Sequence, residues 1–200
     1  MNDLKLLQEA YAKICEGSED IPQEVQDYIA TGRKGDLNLD YMLYPNLTSL
    51  PDNLEVRGSL FLRNSSIKSL PSNLHVHNNL NLQGADITTL PADIKVGGYL
   101  ELSLSKIEYL PNNLEIGGSL LLGGTRIDKL PRGLKIGEWL FLASCPIKRV
   151  QDLPPDLKVK GKIESTYFTN KEAKTYLKKI QQRDSKLSRD FDISALEDFS

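Results

Sequence analysis

Leu-Pro pairs recur in this 200-residue chain at Leu50-Pro51, Leu70-Pro71, Leu90-Pro91, Leu110-Pro111 and Leu130-Pro131. The interval is 20 residues every time, with no drift. A fixed period of this length constrains the fold more than any other feature, because it means one small unit stacked on copies of itself. Each unit reads Pro-x-x-Leu-x-Val-x-Gly-x-Leu-x-Leu-x-x-small-x-Ile-x-x-Leu. Six slots are aliphatic in every unit, from Leu54, Val56, Leu60, Leu62, Ile67 and Leu70 in the first to Leu134, Ile136, Leu140, Leu142, Ile147 and Val150 in the fifth. The residues between them vary freely. That is the pattern of an inward-pointing ladder with one layer per coil. A chain with 40% hydrophobic residues has enough apolar side chain to fill such a core and is not a disordered sequence.

The pattern also predicts what a coil is made of. Leu-x-Leu and Leu-x-Val alternate with period 2, so each coil carries two short strand segments. A proline in every unit, glycines in most and no 3.6-residue apolar period exclude a helical repeat. Coils stacked at strand spacing advance ~4.8 Å each, so five make a body only ~24 Å long, and its two ends need covers. Partial units flank the five: Gly35-Asp36-Leu37-Asn38-Leu39 on one side and Leu153 to Ile163 on the other, each offset by three residues. The predicted organisation is a helical N-terminal cap over 1–34 and a solenoid over 35–165. The solenoid has five regular units at 51–150 and degenerate end coils at 35–50 and 151–165. A C-terminal helix and tail follow over 166–200. The fold class is a repeat solenoid of β-rich coils with helical caps at both ends.

The step Leu-x-Leu-x-x-small-x-Ile-x-x-Leu-Pro resembles the leucine-rich repeat over residues 35–165. Its 20-residue period with Leu-Pro looks like the short bacterial class found in secreted effector proteins, and its Val-x-Gly-x-Leu-x-Leu form is also similar to repeats encoded in bacterial and tailed-phage genomes. Two departures stand out. Ser65, Ala85, Ser105, Thr125 and Cys145 replace that family's asparagine ladder. Its leucine three residues before the first strand leucine is absent, with Arg57, His77, Gly97, Gly117 and Gly137 in that place. Leu54-x-Val56 and its equivalents supply a second strand-like segment instead, so the convex side is expected to be sheet or extended chain rather than helix. Effectors of that family often append a cysteine-based ubiquitin ligase. Residues after 165 are too few for one, and Cys145 fills a small slot inside a coil, so no nucleophile is carried over to it.

At the N-terminus, Leu4, Leu7, Tyr11 and Ile14 form an apolar stripe predicting a first helix that ends at Gly17-Ser18. A second helix is expected from Pro22 to Gly32. Near the other end, Thr169-x-x-Glu172 is a capping-box pattern predicting a helix over about 170–183, with Lys171, Lys174, Lys178, Lys179 and Arg183 on its polar face. Ser185 to Ser200 is left open among a short helix, a packed tail and a segment that orders on binding. Lys and Arg outnumber Asp and Glu by 10 to 6 over residues 151–190 and are outnumbered 4 to 9 over residues 1–50. The molecule is polarised along its length, although the net charge is only −2.

Groups that carry chemistry are sparse. No apolar run is long enough to span a membrane and no secretory signal is visible. The two cysteines, Cys15 and Cys145, make neither a disulfide framework nor a zinc site, so the expected location is cytoplasmic. His75 and His77 can share a face, but no Cys or paired carboxylate near them in sequence completes a metal site, and a solvent-facing pair is the expectation. The paired glycines at 97–98 and 117–118 recur with the repeat and read as turn residues. No catalytic residue, cofactor or metal is assigned.

The strand face is richer. Residues alternating with the buried leucines form three solvent-facing columns: Ser59, Asn79, Tyr99, Ser119 and Trp139; Phe61, Asn81, Glu101, Leu121 and Phe141; Arg63, Gln83, Ser103, Gly123 and Ala143. Tyr99, Leu121, Trp139 and Phe141 are expected to cluster over units three to five, with Glu101 and Phe61 on the same face. Exposed aromatic clusters anchor interfaces. The first expectation is therefore a non-enzymatic module that binds or inhibits a partner protein. A self-assembling structural component ranks second, and a nucleic-acid binder or enzyme using the basic C-terminal helix ranks third. The competing expectation for the cluster is that the C-terminal helix or tail folds over it.

Overall fold

The computed structural model describes residues 22–32 and 34–197. Within them the chain is a parallel β-solenoid with a 20-residue repeat. Each coil contributes one strand to each of two sheets, except the first, which adds a strand to one sheet alone. The first sheet runs β1 (Leu37–Asn38), β3 (Leu60–Phe61), β5 (Leu80–Asn81), β7 (Leu100–Glu101), β9 (Leu120–Leu121), β11 (Leu140–Leu142) and β13 (Ile163–Ser165). The second runs β2 (Glu55–Val56), β4 (His75–Val76), β6 (Lys95–Val96), β8 (Glu115–Ile116), β10 (Lys135–Ile136) and β12 (Lys158–Val159). The convex side is thus a sheet, as the Leu-x-Val step implies. All pairings are parallel, and the register follows the period: Leu60, Leu80, Leu100, Leu120 and Leu140 stand one above another. The end coils step by 23 residues instead, Leu37 to Leu60 and Leu140 to Ile163. The three extra residues make the turns after Asp40 at one end and lie around a 3₁₀ turn at Val150–Asp152 at the other.

The six aliphatic slots fill the interior almost without exception, and residues such as Leu60, Ile67, Leu100 and Ile107 are fully buried. Burying each such side chain contributes about 1.5–3 kcal/mol. The small slot is buried too. Its five members differ in how they satisfy their polar atoms. Thr125 donates to the Leu122 carbonyl at 2.8 Å, whereas the hydroxyls of Ser65 and Ser105 have no partner. Corners are turned by left-handed residues. Asn53, Asn73, Asn113 and Gly133 have positive φ two positions after the proline, where asparagine and glycine are tolerated best.

Both ends carry helices. Helix α1 (Gln23–Ala30) buries Val25 and Tyr28. The Tyr28 hydroxyl donates to the Gly35 carbonyl at 2.7 Å and accepts from the Arg57 amide at 3.2 Å, tying the helix to the first coils. The helix expected near Leu4–Ile14 lies outside the described residues. Helix α2 (Asn170–Glu197) is twice as long as its sequence signals predict and runs through the stretch left open above. It buries Ala173 and Leu177 on the last coil, and Gln181 donates to the Pro155 carbonyl at 3.1 Å. The capping box forms in full: the Glu172 amide donates to the Thr169 hydroxyl oxygen at 3.2 Å, and the Thr169 amide donates to the Glu172 carboxylate at 2.7 Å. The Thr169 amide and then its hydroxyl, both donating to that carboxylate, hold the Glu172 carboxyl below its ordinary range, so this part of the cap's stability is lost as pH falls through that lowered range. Thr169→Ala is expected to cost about 1 kcal/mol in denaturant unfolding; no loss would mean that the cap does not hold the helix. No described helix is long and apolar enough to cross a membrane.

Candidate functional site

Parallel pairing without slippage turns sequence columns into physical rows. Tyr99, Leu121, Trp139 and Phe141 line one shallow groove on the first sheet. The strands bring together residues 42 positions apart because each coil returns the chain to the same place, ~4.8 Å further on. Trp139 is 50% exposed, and Tyr99, Leu121 and Phe141 are half-buried. Absent side chains shape the floor. A Cβ at Gly123 would lie 3.0 Å from the Phe141 ring, and one at Gly161 would lie 2.7 Å from the Trp139 ring, so glycine lets both aromatics lie down on neighbouring coils. The Trp139 backbone N–H donates to Ser119 Oγ at 3.3 Å, and that hydroxyl donates to Glu138 at 3.1 Å.

The groove is acidic. Glu101, Glu138 and Glu164 line it, and none of them forms an ion pair with a described residue. Glu101 turns back to accept the Ser103 amide at 2.7 Å. Lys162 places its ammonium 5.4 Å from the centre of the Trp139 ring. Helix α2 packs on the end coil, and half of Trp139 remains open to solvent.

One sequence expectation needs correction here. Ser59, placed in a solvent-facing column, is buried: Asp36 of the preceding coil reaches across to accept its amide at 2.7 Å. Phe61 lies in the same column as Leu121 and Phe141, but Asn81 and Glu101 intervene. Four strand steps, about 19 Å, separate it from Phe141, so it does not join the cluster. At that end Asp40 is buried and accepts both the amide and the guanidinium of Arg63, at 2.6 and 2.7 Å.

Leu104 belongs to the neighbourhood and was not singled out from the sequence. It stands at a left-handed corner, φ 60°, in a column otherwise made of Asn64, Gly84, Gly124 and Ser144. It is 67% exposed, and its side chain leans over Gly124. A leucine in a column of small or turn-forming residues was the available signal. Leu104→Gly is expected to raise stability by roughly 0.5–1 kcal/mol, since relief of about 1–2 kcal/mol of left-handed strain exceeds glycine's entropic cost of about 0.5–1. A destabilised variant in urea unfolding would refute strain at this corner.

The histidines require a second correction. His77 is exposed and His75 half-buried, but they are not alone. Their rings stack with centroids 4.1 Å apart, and Glu55, one coil earlier, places a carboxylate oxygen 2.8 Å from His77 Nε2. Partial burial, and then the neighbouring His77, push the His75 imidazole below its ordinary range. Glu55 stands 20 residues before His75, so reading across the repeat rather than along the chain finds it. Cys145 is buried, donates to the Leu122 carbonyl at 2.7 Å, and has its thiol pushed up chiefly by desolvation. It is held as a structural side chain rather than as a reactive thiolate. On the second sheet Lys95, Lys135, Lys158 and Lys160 line a groove, and the last two share another with Lys174 and Lys178 of α2.

Comparison of the chain with protein-family models, curated proteins and solved structures finds no match.

Proposed function

We infer that this chain is a non-enzymatic protein-binding module that grips a partner through the first-sheet groove. The reading is carried by one observation: Tyr99, Leu121, Trp139 and Phe141 form a contiguous apolar cluster that stays partly open to solvent. Large aromatics on a rigid parallel sheet lose little entropy when a partner covers them, which is why such residues dominate binding energies. Unpaired Glu101, Glu138 and Glu164 around the cluster favour a partner segment with apolar anchors flanked by Lys or Arg. The coils support membership in the short leucine-rich-repeat class of bacterial or phage type. A free, buried Cys145 fits a reducing cytoplasm.

The test is selection of peptides from a random library on the full chain, with counter-selection on Trp139→Ser/Phe141→Ser. Enriched sequences combining apolar anchors with basic residues, bound by the wild type and not by the variant, support the reading. Binders that ignore the substitution refute it.

Self-assembly is the second reading. It rests on a difference in charge between the two grooves: three carboxylates line the first, and in the second four lysines outnumber Asp93 and Glu115, the latter paired with Lys135. Light scattering across a concentration series separates the two. A mass that rises with concentration and falls back on Trp139→Ser/Phe141→Ser favours self-assembly, and a constant monomer mass favours a foreign partner.

A further inference from the structure

We propose that Glu55, His75 and His77 form a three-ligand site for a divalent transition-metal ion such as zinc, on the second sheet and across the first two regular coils. The placement follows from strand geometry. Val76 points inward, so His75 and His77 point outward on the same side of one strand, and Glu55 is the register partner of His75 on the next. One donor atom from each of the three lies within 4.8 Å of the others. A tetrahedral zinc ion bonded at ~2.0–2.1 Å to each ligand requires donor atoms about 3.3 Å apart, which small rotations of these half-exposed and exposed side chains provide. Water takes the fourth position.

Two imidazoles and one carboxylate suit zinc, cobalt, nickel or copper; calcium and magnesium prefer sites built from oxygen alone. Two neighbours oppose binding. The Arg57 guanidinium lies 3.7 Å from Glu55 and must swing away, which its exposure allows, and Lys95 stands in register beside His75. The stacked rings offset this by being pre-positioned: the metal replaces the Glu55–His77 hydrogen bond instead of ordering free side chains. Bound metal ties one coil to the next at the N-terminal end of the regular repeat. The site is independent of the protein-binding groove, which lies on the other sheet.

The chain contains only two histidines, and both are in this site, so ring-nitrogen NMR signals report on it without interference from thiols or other carboxylates. Zinc chloride titrated into the full-length protein is expected to shift both rings together and to saturate at one ion per chain. Magnesium is expected to leave them unchanged. Glu55→Gln is expected to weaken zinc binding at least about tenfold with unchanged circular dichroism. Shifts confined to one ring, shifts that never saturate, or a Glu55→Gln protein that binds as tightly as the wild type would each overturn the proposal.

Discussion

Ile107→Ala is expected to lower the unfolding free energy by about 3–4 kcal/mol, in the upper part of the range for buried isoleucine truncations. Ile107 is fully buried in the middle coil, with Ile87 and Ile127 occupying the same slot on either side. Its flanking amides are fixed to the previous coil, Lys106 N–H to the Ala85 carbonyl and Glu108 N–H to that of Thr88, both at 3.2 Å. The backbone therefore cannot sink into the space left behind. A solenoid layer touches only its two neighbours, so no remote element can move in either. At about 2–4 °C per kcal/mol for a chain of this size, the midpoint should fall by roughly 10 °C. Ile107→Val is the matched control and is expected to cost about 1 kcal/mol. Calorimetry that finds the two variants equal would mean the layers relax freely and the ladder is not close-packed.

Trp139→Ser/Phe141→Ser is expected to weaken binding of a selected peptide at least about 30-fold, the equivalent of about 2 kcal/mol, because both anchors of the groove are removed. The fold should survive. Trp139 is half exposed and neither side chain belongs to the aliphatic ladder. Neutralising the rim, as in Glu101→Gln/Glu164→Gln, should act differently: it slows association and flattens the salt dependence while leaving dissociation nearly unchanged. Surface plasmon resonance distinguishes these cases. Equal affinity for wild type and double serine variant would remove the groove from consideration, and a collapse of the melting transition would show that the aromatics serve stability instead.

Much of this could be read along the chain, for a definite reason. Leu60, Leu80, Leu100, Leu120 and Leu140 share one environment, so each coil repeats the same evidence, and their register follows from arithmetic. The pattern also located Tyr99, Leu121, Trp139 and Phe141 on one face. It failed where a coil departs from the average. Ser59 is buried because Asp36 belongs to an end coil that sits differently. Helix α2 outran its signals because Ser185 to Glu197 carries too weak an apolar stripe to extend the helix from local pattern alone.

The solenoid, the period, the two strands per coil and the buried ladder are all written in the spacing of the aliphatic residues. A 20-residue spacing with fixed aliphatic slots admits one way of burying them all, since any slip of register exposes every layer at once. What the surface residues do together follows from the folded coils instead. The meeting of Glu55 with His75 and His77, the open half of Trp139, and Leu104 on its strained corner depend on side-chain direction and on what covers each end. Those are set by contacts between coils, and contacts between coils are not encoded in any single one of them.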